Sequence, residues 1–162
     1  DNVTLKVIQA LQQVKVEGLE AVVVVGGSNP NYEQLQAAVH DSGTAITLKY
    51  NVKNMPELMA WADIAIAAGG STGWELAFMG LPGIILIVAK NQEEVASKLS
   101  ELGVVTNFGW HHLVNKSDIS EALTYLCISS EQRGLMSQAG IETVDGYGGS
   151  RVISFMKYRM ML

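Results

Sequence analysis

Apolar residues along the chain follow two alternating rhythms. At Val3, Val7, Ile8, Leu11 and Val14 they recur every three to four positions, which predicts a helix capped by Asp1 or Asn2, with Lys15 near its end and Gly18 just past it. Ala21 to Val25 is a short β-branched run that predicts a strand, and it stops at Gly26-Gly27-Ser28-Asn29-Pro30. A helix is expected over Tyr32 to His40 and a strand over Thr44 to Tyr50. Asn54 then caps a short helix carrying Pro56, Leu58, Met59 and Trp61, with proline in the first turn, where its missing N–H costs nothing.

The stretch from Ala62 to Gln92 organises the rest. Asp63 to Ala68 reads as a strand buried on both faces. Gly69 and Gly70 end it, Ser71 or Thr72 can cap a helix from Gly73 to Met79, and Gly80 with Pro82 closes that helix. Gly83 to Ala89 is another buried strand. Asn91 and Glu94 then have capping-box spacing for a helix with the stripe Val95, Leu99 and Leu102. Val104 to Phe108 is the last strand. From Ser117 onward the pattern is helical, with caps at Ser117 and Ser130 and a glycine-rich turn from Asp145 to Ser150; the closing helix carries Val152, Phe155, Met156 and Met160.

Strands alternating with helices through short connections predict an α/β domain, a parallel sheet with helices on both faces. No internal repeat, low-complexity segment or linker divides residues 1–162, so one domain is expected. Ligands of such sheets collect beyond the carboxyl ends of the strands, where the glycine turns at Gly26 and Gly69 both fall. The turn after Ala68 leaves first-turn amides free and lets a ligand approach the backbone closely, a geometry suited to phosphate.

Composition narrows the choice of partner. With 162 residues, 48% of them hydrophobic, the chain can build one sizeable core. A formal charge of −5 without any long Lys/Arg cluster argues against tracking nucleic acid. Arg151, Lys157 and Arg159 make only the tail basic, most simply as a solvated helix face. The single Cys127 cannot form an internal disulfide and falls in the apolar pattern of Ile119, Ala122, Leu123 and Leu126, so it is expected in the core and in reducing conditions. The apolar run at Gly83 to Ala89 is too short to span a bilayer, and no signal-like segment opens the chain, which reads as soluble and cytoplasmic. The chain opens without Met and on a helix rather than a strand, so a fragment is expected.

Several motifs can be weighed. Neither glycine turn has the three glycines and distal acid of a dinucleotide site, or the Gly-Lys-Ser/Thr of a P-loop. His111 and His112 are adjacent and distant in sequence from Cys127, so no metal-ligand spacing exists, and they read as loop histidines. Gly69-Gly70-Ser71-Thr72-Gly73 matches G-x-S-x-G on a strand–turn–helix, so Ser71 could be a hydrolase nucleophile; its acid partner would have to be a Glu, because no Asp lies between Ser71 and His111. Glu75 follows the glycines by one turn. It either complements the helix dipole, worth about 0.3–1 kcal/mol, or reaches past a bound phosphate to ribose hydroxyls, and spacing alone leaves both readings open.

The segments Ala62-Asp63, Ile64 to Thr72, Trp74-Glu75, Gly80-Leu81-Pro82 and Ala89-Lys90-Asn91-Gln92 together resemble the nucleotide-binding half of GT-B-type enzymes. The likeness is strongest to the spore-coat polysaccharide biosynthesis family, which includes the UDP-sugar hydrolase of pseudaminic acid synthesis; the peptidoglycan N-acetylglucosaminyl transferase is more distant. It extends to the first helix and to Asp145-Gly-Tyr-Gly-Gly-Ser-Arg151, which resembles the family's terminal Asp-Gly-x-Gly-x-x-Arg. The resemblance implies a Rossmann-like C-terminal half of a GT-B fold that binds UDP or a UDP-sugar. Gly70, Ser71 and Thr72 would meet the diphosphate, Glu75 the ribose, the segment Val52 to Met55 the uracil, and Asn91 and Gln92 the sugar or diphosphate. No metal or cofactor is implied.

The same resemblance implies that the chain starts just after the family's first strand and glycine turn, and that the N-terminal domain with the catalytic histidine lies outside it. None of His40, His111 and His112 falls in a matching segment, so the chain alone is expected to bind nucleotide without turnover and to carry no catalytic residue. An apolar edge left by the first strand would favour self-association as a homo-oligomer. A serine hydrolase using Ser71 and a non-catalytic binding module are the alternatives.

Overall fold

The computed structural model describes residues 2–40, 43 and 45–160. In chain order the elements are α1 (Val3–Leu11), β1 (Glu20–Val25), α2 (Tyr32–His40), β2 (Ala45–Tyr50), α3 (Met55–Trp61), β3 (Ala65–Ala68), α4 (Thr72–Phe78), β4 (Gly83–Ile87), α5 (Glu93–Glu101), β5 (Val105–Trp110), α6 (Lys116–Ile128), α7 (Ser130–Thr143) and α8 (Gly148–Met160). The α/β alternation and the Rossmann-like class are as expected. Asp1 and Thr44, offered above as a helix cap and a strand start, lie outside the described residues.

Every strand pair is parallel, but the strands make two sheets rather than one. β1 pairs with β2, from Glu20 opposite Ala45 to Val25 opposite Tyr50. The second sheet has the order β3-β4-β5, with a register shift between Ile85 and Ile87. What unites the sheets is a shared core. Ile8 and Leu11 of α1, Val25, Leu35 of α2, Ile46, Ile84, Leu86 and Ile119, Leu123 and Leu126 of α6 form one buried cluster. On the opposite face Ile85 and Ile87 pack with Ala77 of α4 and with Ala96 and Leu99 of α5. β4 therefore alternates between two cores, and all five of its residues are buried.

Helix ends account for most departures from expectation. Asn2 caps α1 as proposed, its side-chain oxygen accepting from Leu5 N–H at 3.1 Å. The helix stops earlier than its apolar stripe, because Gln13 and Val14 donate to Ala10 and Leu11 in tighter three-residue turns. Those turns still bury Val14 and lead the chain to Gly18, whose φ of +76° lets it reverse into β1. Asn54 makes no cap; its amide donates instead to Glu57 at 2.8 Å. Asn91 lies in a 3₁₀ turn, Lys90–Gln92, and its capping box does not form; α5 begins at Glu93 and buries Ala96 and Leu99 while Leu102 is exposed. For α6 the cap is Asn115 rather than Ser117, since Asp118 three residues on completes a reciprocal box with Asn115. For α7 it is Ser129 rather than Ser130, accepting from Gln132 N–H.

Cys127 is half-buried rather than in the core, and that burial pushes its thiol up. α8 is exposed over 151–159, so among the described residues Val152, Phe155 and Met156 of the closing helix pack into no core. α7 crosses α4 at Gly140, where an added Cβ would stand 2.7 Å from the Ala77 carbonyl oxygen. Backbone cannot yield there as a flexible side chain would. Gly140→Ala is therefore expected to destabilise the fold by about 1–3 kcal/mol, the reverse of the roughly 0.5–1 kcal/mol gained by this change in an open helix. Urea unfolding of the two proteins checks the sign.

Candidate functional site

The carboxyl ends of the strands collect the residues singled out in the sequence. β3 ends at Ala68, and Gly69 follows, its N–H donating to Leu86 O at 3.3 Å. A Cβ on Gly69 would lie 3.2 Å from the Cβ and carbonyl oxygen of Gln92 and from Ala96 Cβ. A side chain there would require the turn after β3 or its support to give by a few tenths of an ångström. Gly73 belongs to the same packing, since a Cβ there would lie 2.5 Å from Leu99 Cδ1.

Three donors of this turn are left without a backbone acceptor among the described residues. Gly73 N–H is taken by Gly70 O at 3.1 Å and Trp74 N–H by Ser71 O at 3.0 Å. The amides of Gly70, Ser71 and Thr72 have no backbone acceptor among the described residues. Ser71 stands at the helix start in helical backbone, φ −58° and ψ −27°, and its hydroxyl caps nothing, contrary to the expected capping by Ser71 or Thr72. The relaxed backbone lacks the strain of a nucleophile elbow, and no histidine hydrogen-bonds to Ser71 among the described residues. Consecutive free amides at a strand end can receive an anion.

The other candidate residues border this turn. Glu75 is exposed in the first turn of α4 and forms no ion pair or side-chain hydrogen bond among the described residues. Gln92 is half-buried, and its Oε1 accepts from Val88 N–H at 3.0 Å. That bond fixes the side chain so that its Nε2 lies 3.9 Å from where a Gly70 Cβ would be. Asn91 is exposed beside it. Met55 packs with Met59, Leu76 and Leu81, so the start of α3 is anchored against α4 next to Glu75. Val52 is half-buried in the connection between β2 and α3. Asn51 before it has φ +49°, and its N–H binds Val25 O at 2.9 Å, tying the ends of β1 and β2 together. Tyr50 donates its hydroxyl to Gly27 O, and its ring meets Tyr32 edge-on at 5.1 Å.

Two features went unread in the sequence. Lys6 Nζ donates to the carbonyls of His111 and Val114 at 2.7 and 3.1 Å, so a hollow of about 240 Å³ forms among Asn2, Val3, Lys6, His111 and His112 at the same edge. Desolvation, then the charges of His112 and Lys6, push His111 below its ordinary range. No local pattern links Lys6 to residues more than a hundred positions away. A larger hollow, about 520 Å³, lies at the amino edge between Val14–Glu20 and Ala45, away from the glycine turn. The second feature is the clamp at the start of α8: Arg151 donates both terminal nitrogens to Asp145, at 2.7 and 2.9 Å, and Tyr147 N–H binds the same carboxylate at 3.0 Å. The Asp-Gly-x-Gly-x-x-Arg spacing thus closes a turn. The Arg151 guanidinium and the Tyr147 amide hold the Asp145 carboxyl at about 2.

Comparison with known proteins places this geometry. The glycosyltransferase family 28 C-terminal domain matches residues 3–143. The spore coat polysaccharide biosynthesis protein SpsG of Bacillus subtilis (strain 168) is 25% identical over 153 residues, 94% of this chain and 45% of that protein. Among solved structures, a Listeria monocytogenes protein assigned as a UDP-N-acetylglucosamine 2-epimerase superposes with a TM-score of 0.78 at 18% identity, covering 99% of this chain and 42% of that one. MurG of Acinetobacter baumannii gives a TM-score of 0.75 at 17% identity, covering 97% and 46%. The chain spans less than half the length of each of these proteins.

The Asp145 clamp makes a pH-dependent prediction. A carboxyl held below its ordinary value near 3.8 stabilises the folded turn above that value, and the contribution is lost as pH falls toward about 2. Protection of the amides over 148–154, their exchange divided by the intrinsic rate at each pH, should hold at pH 4 and fall between pH 4 and about 2. In Asp145→Asn their exchange should already be several-fold faster at pH 7, which exchange followed by mass spectrometry will show.

Proposed function

The chain belongs to the glycosyltransferase family 28 C-terminal domains, and we propose that it is the half of a nucleotide-sugar enzyme that recognises UDP or a UDP-sugar. The observation that carries this reading is the row of free amides at Gly70, Ser71 and Thr72, held at the carboxyl edge by the close seating of Gly69 on Gln92. On this reading the amides and hydroxyls of the turn bind the diphosphate. The exposed Glu75 carboxylate lies one helical turn beyond and accepts from the ribose hydroxyls. The segment from Val52 to Met55, anchored by Met55 on α4, presents backbone to uracil. Asn91 and the oriented amide of Gln92 face the sugar or the second phosphate.

The chemistry this half supplies is leaving-group stabilisation. As the nucleotide–sugar bond breaks, negative charge grows on the β-phosphate, and amides already aimed there stabilise it without reorganising. The attacking groups come from a second domain across the cleft, in a longer protein of the length its relatives have. The reaction is hydrolysis at the nucleotide–sugar linkage or transfer of the sugar, within polysaccharide biosynthesis as the name of SpsG says of that relative.

Calorimetric titration with UDP, UMP and ADP tests the reading. UDP should bind saturably, UMP at least tenfold more weakly because it lacks the second phosphate, and ADP more weakly than UDP. A hydrogen bond to a charged group is worth about 1.5–3 kcal/mol, so Glu75→Ala should weaken UDP by roughly tenfold or more with an unchanged far-UV spectrum. Equal affinity in Glu75→Ala would remove its ribose role, and failure of every nucleotide to bind would overturn the proposal.

A further inference from the structure

The last strand ends on a pair of residues that the nucleotide reading leaves unused. Up to Phe108, β5 alternates as a strand does: Val105 is buried with residues of α4 and α5, and Phe108 packs against the core on the other face. Two positions on, Trp110 should share the side of Phe108. It packs instead on the side of Val105 and α5. An extra residue in β5 makes the difference. Ile85 stands opposite Asn107 and Ile87 opposite Trp110, so two steps along β4 match three along β5. Gly109 absorbs the surplus at φ +73°, and its N–H donates to Asn107 Oδ1 at 2.8 Å. A bulge of this kind re-aims the side chain that follows it.

The bulge delivers an indole to a carboxylate. Trp110 Nε1 donates to Glu93 Oε1 at 2.8 Å, and both residues are half-buried. Glu93 opens α5 directly after Asn91 and Gln92. No side chain caps this helix, because Gln92 turns back to Val88 N–H. Complementing the positive end of α5 needs no such anchor, since Glu94 beside it is exposed and makes no side-chain bond among the described residues. The Glu93 side chain has no second hydrogen bond or ion pair among the described residues, so Oε2 keeps its full capacity to accept.

We propose that Glu93, fixed by Trp110, is a sugar-reading carboxylate whose Oε2 accepts from hydroxyls on the side of the sugar remote from its anomeric carbon. The inference rests on the nucleotide reading and extends it along the carboxyl edge. β3, β4 and β5 are neighbours in that order. On that reading the diphosphate lies at the turn after β3, and the near side of the sugar meets Asn91 and Gln92 after β4. The next strand brings Trp110, and with it Glu93. A pyranose that leaves the β-phosphate toward Gln92 carries its far hydroxyls on toward this pair. The substrate class is therefore a nucleotide-linked pyranose with free hydroxyls at that end. A carboxylate already held by an indole has little freedom left to lose when the sugar arrives.

The ¹H–¹⁵N spectrum of the indole groups tests this, with UDP and UDP-glucose as the two probes. The chain has three tryptophans, Trp61, Trp74 and Trp110, and the signal lost in Trp110→Phe identifies the last. UDP-glucose should move that indole N–H, and UDP should leave it in place. Glu93→Gln keeps an oxygen for the indole and removes the charged acceptor, so the ratio of the UDP-glucose to the UDP dissociation constant should rise roughly tenfold. A merely structural bond would weaken both ligands alike and leave the ratio as it was. An indole unmoved by UDP-glucose, or an unchanged ratio, overturns the inference, while saturable UDP binding in the same titration leaves the nucleotide reading standing. If neither probe binds, the nucleotide reading fails and this inference with it. Should Glu93→Gln fail to fold, the indole signal of the unaltered chain decides.

Discussion

The structure depends on one shared core beneath α1. Two parallel sheets that exchange no backbone hydrogen bond among the described residues are held together because Ile8 and Leu11 share one buried cluster with Val25 and Ile46 of one sheet and Ile84 and Leu86 of the other. Non-directional burial does the work that a ladder does elsewhere. The carboxyl edge that the core holds in place carries all the candidate chemistry. Turns after β1, β2, β3 and β4 converge there only as long as the two sheets keep a common orientation.

At that edge, close packing and ligand reach come from the same glycines. Gly69 and Gly73 allow the turn after β3 to settle against Gln92, Ala96 and Leu99. The amides of Gly70, Ser71 and Thr72 in that turn have no backbone acceptor among the described residues. A Cβ at Gly69 would press on Gln92 and Ala96 at 3.2 Å, so the turn or its support would have to give by a few tenths of an ångström. Gln92 is held from behind by Val88 N–H, so the polar rim opposite the amides is set by backbone as well. On the proposed reading this is a preorganised diphosphate cradle, whose acid at Glu75 is left unpaired for a hydroxyl-bearing partner.

Much of this was legible in the sequence because local rules and the fold agree. The helix Tyr32–His40 was expected with the ends it has, and the β-branched and apolar runs all became strands. Cap positions were less legible, because capping is a competition between neighbours. Asn54 gave its amide to Glu57, and Asn115 outcompeted Ser117 because Asp118 could reciprocate. Alternation of apolar residues reports which face of a strand is covered, not which edge is paired, so the two-sheet division left no periodic trace. The glycine turn was visible as a site for phosphate, whereas its seating on Gln92 is a contact between distant segments. The Asp145 to Arg151 spacing was visible as a motif, and only geometry showed it to be a clamp.

The most direct measurement of the central claim is an amide ¹H–¹⁵N spectrum of the chain recorded as UDP is added. The account predicts that the resonances of Gly70, Ser71 and Thr72 move furthest and saturate together, with smaller shifts at Asn91 and Gln92. Shifts concentrated instead around Lys6 and His111, or saturation that leaves the three turn amides unmoved, would contradict it.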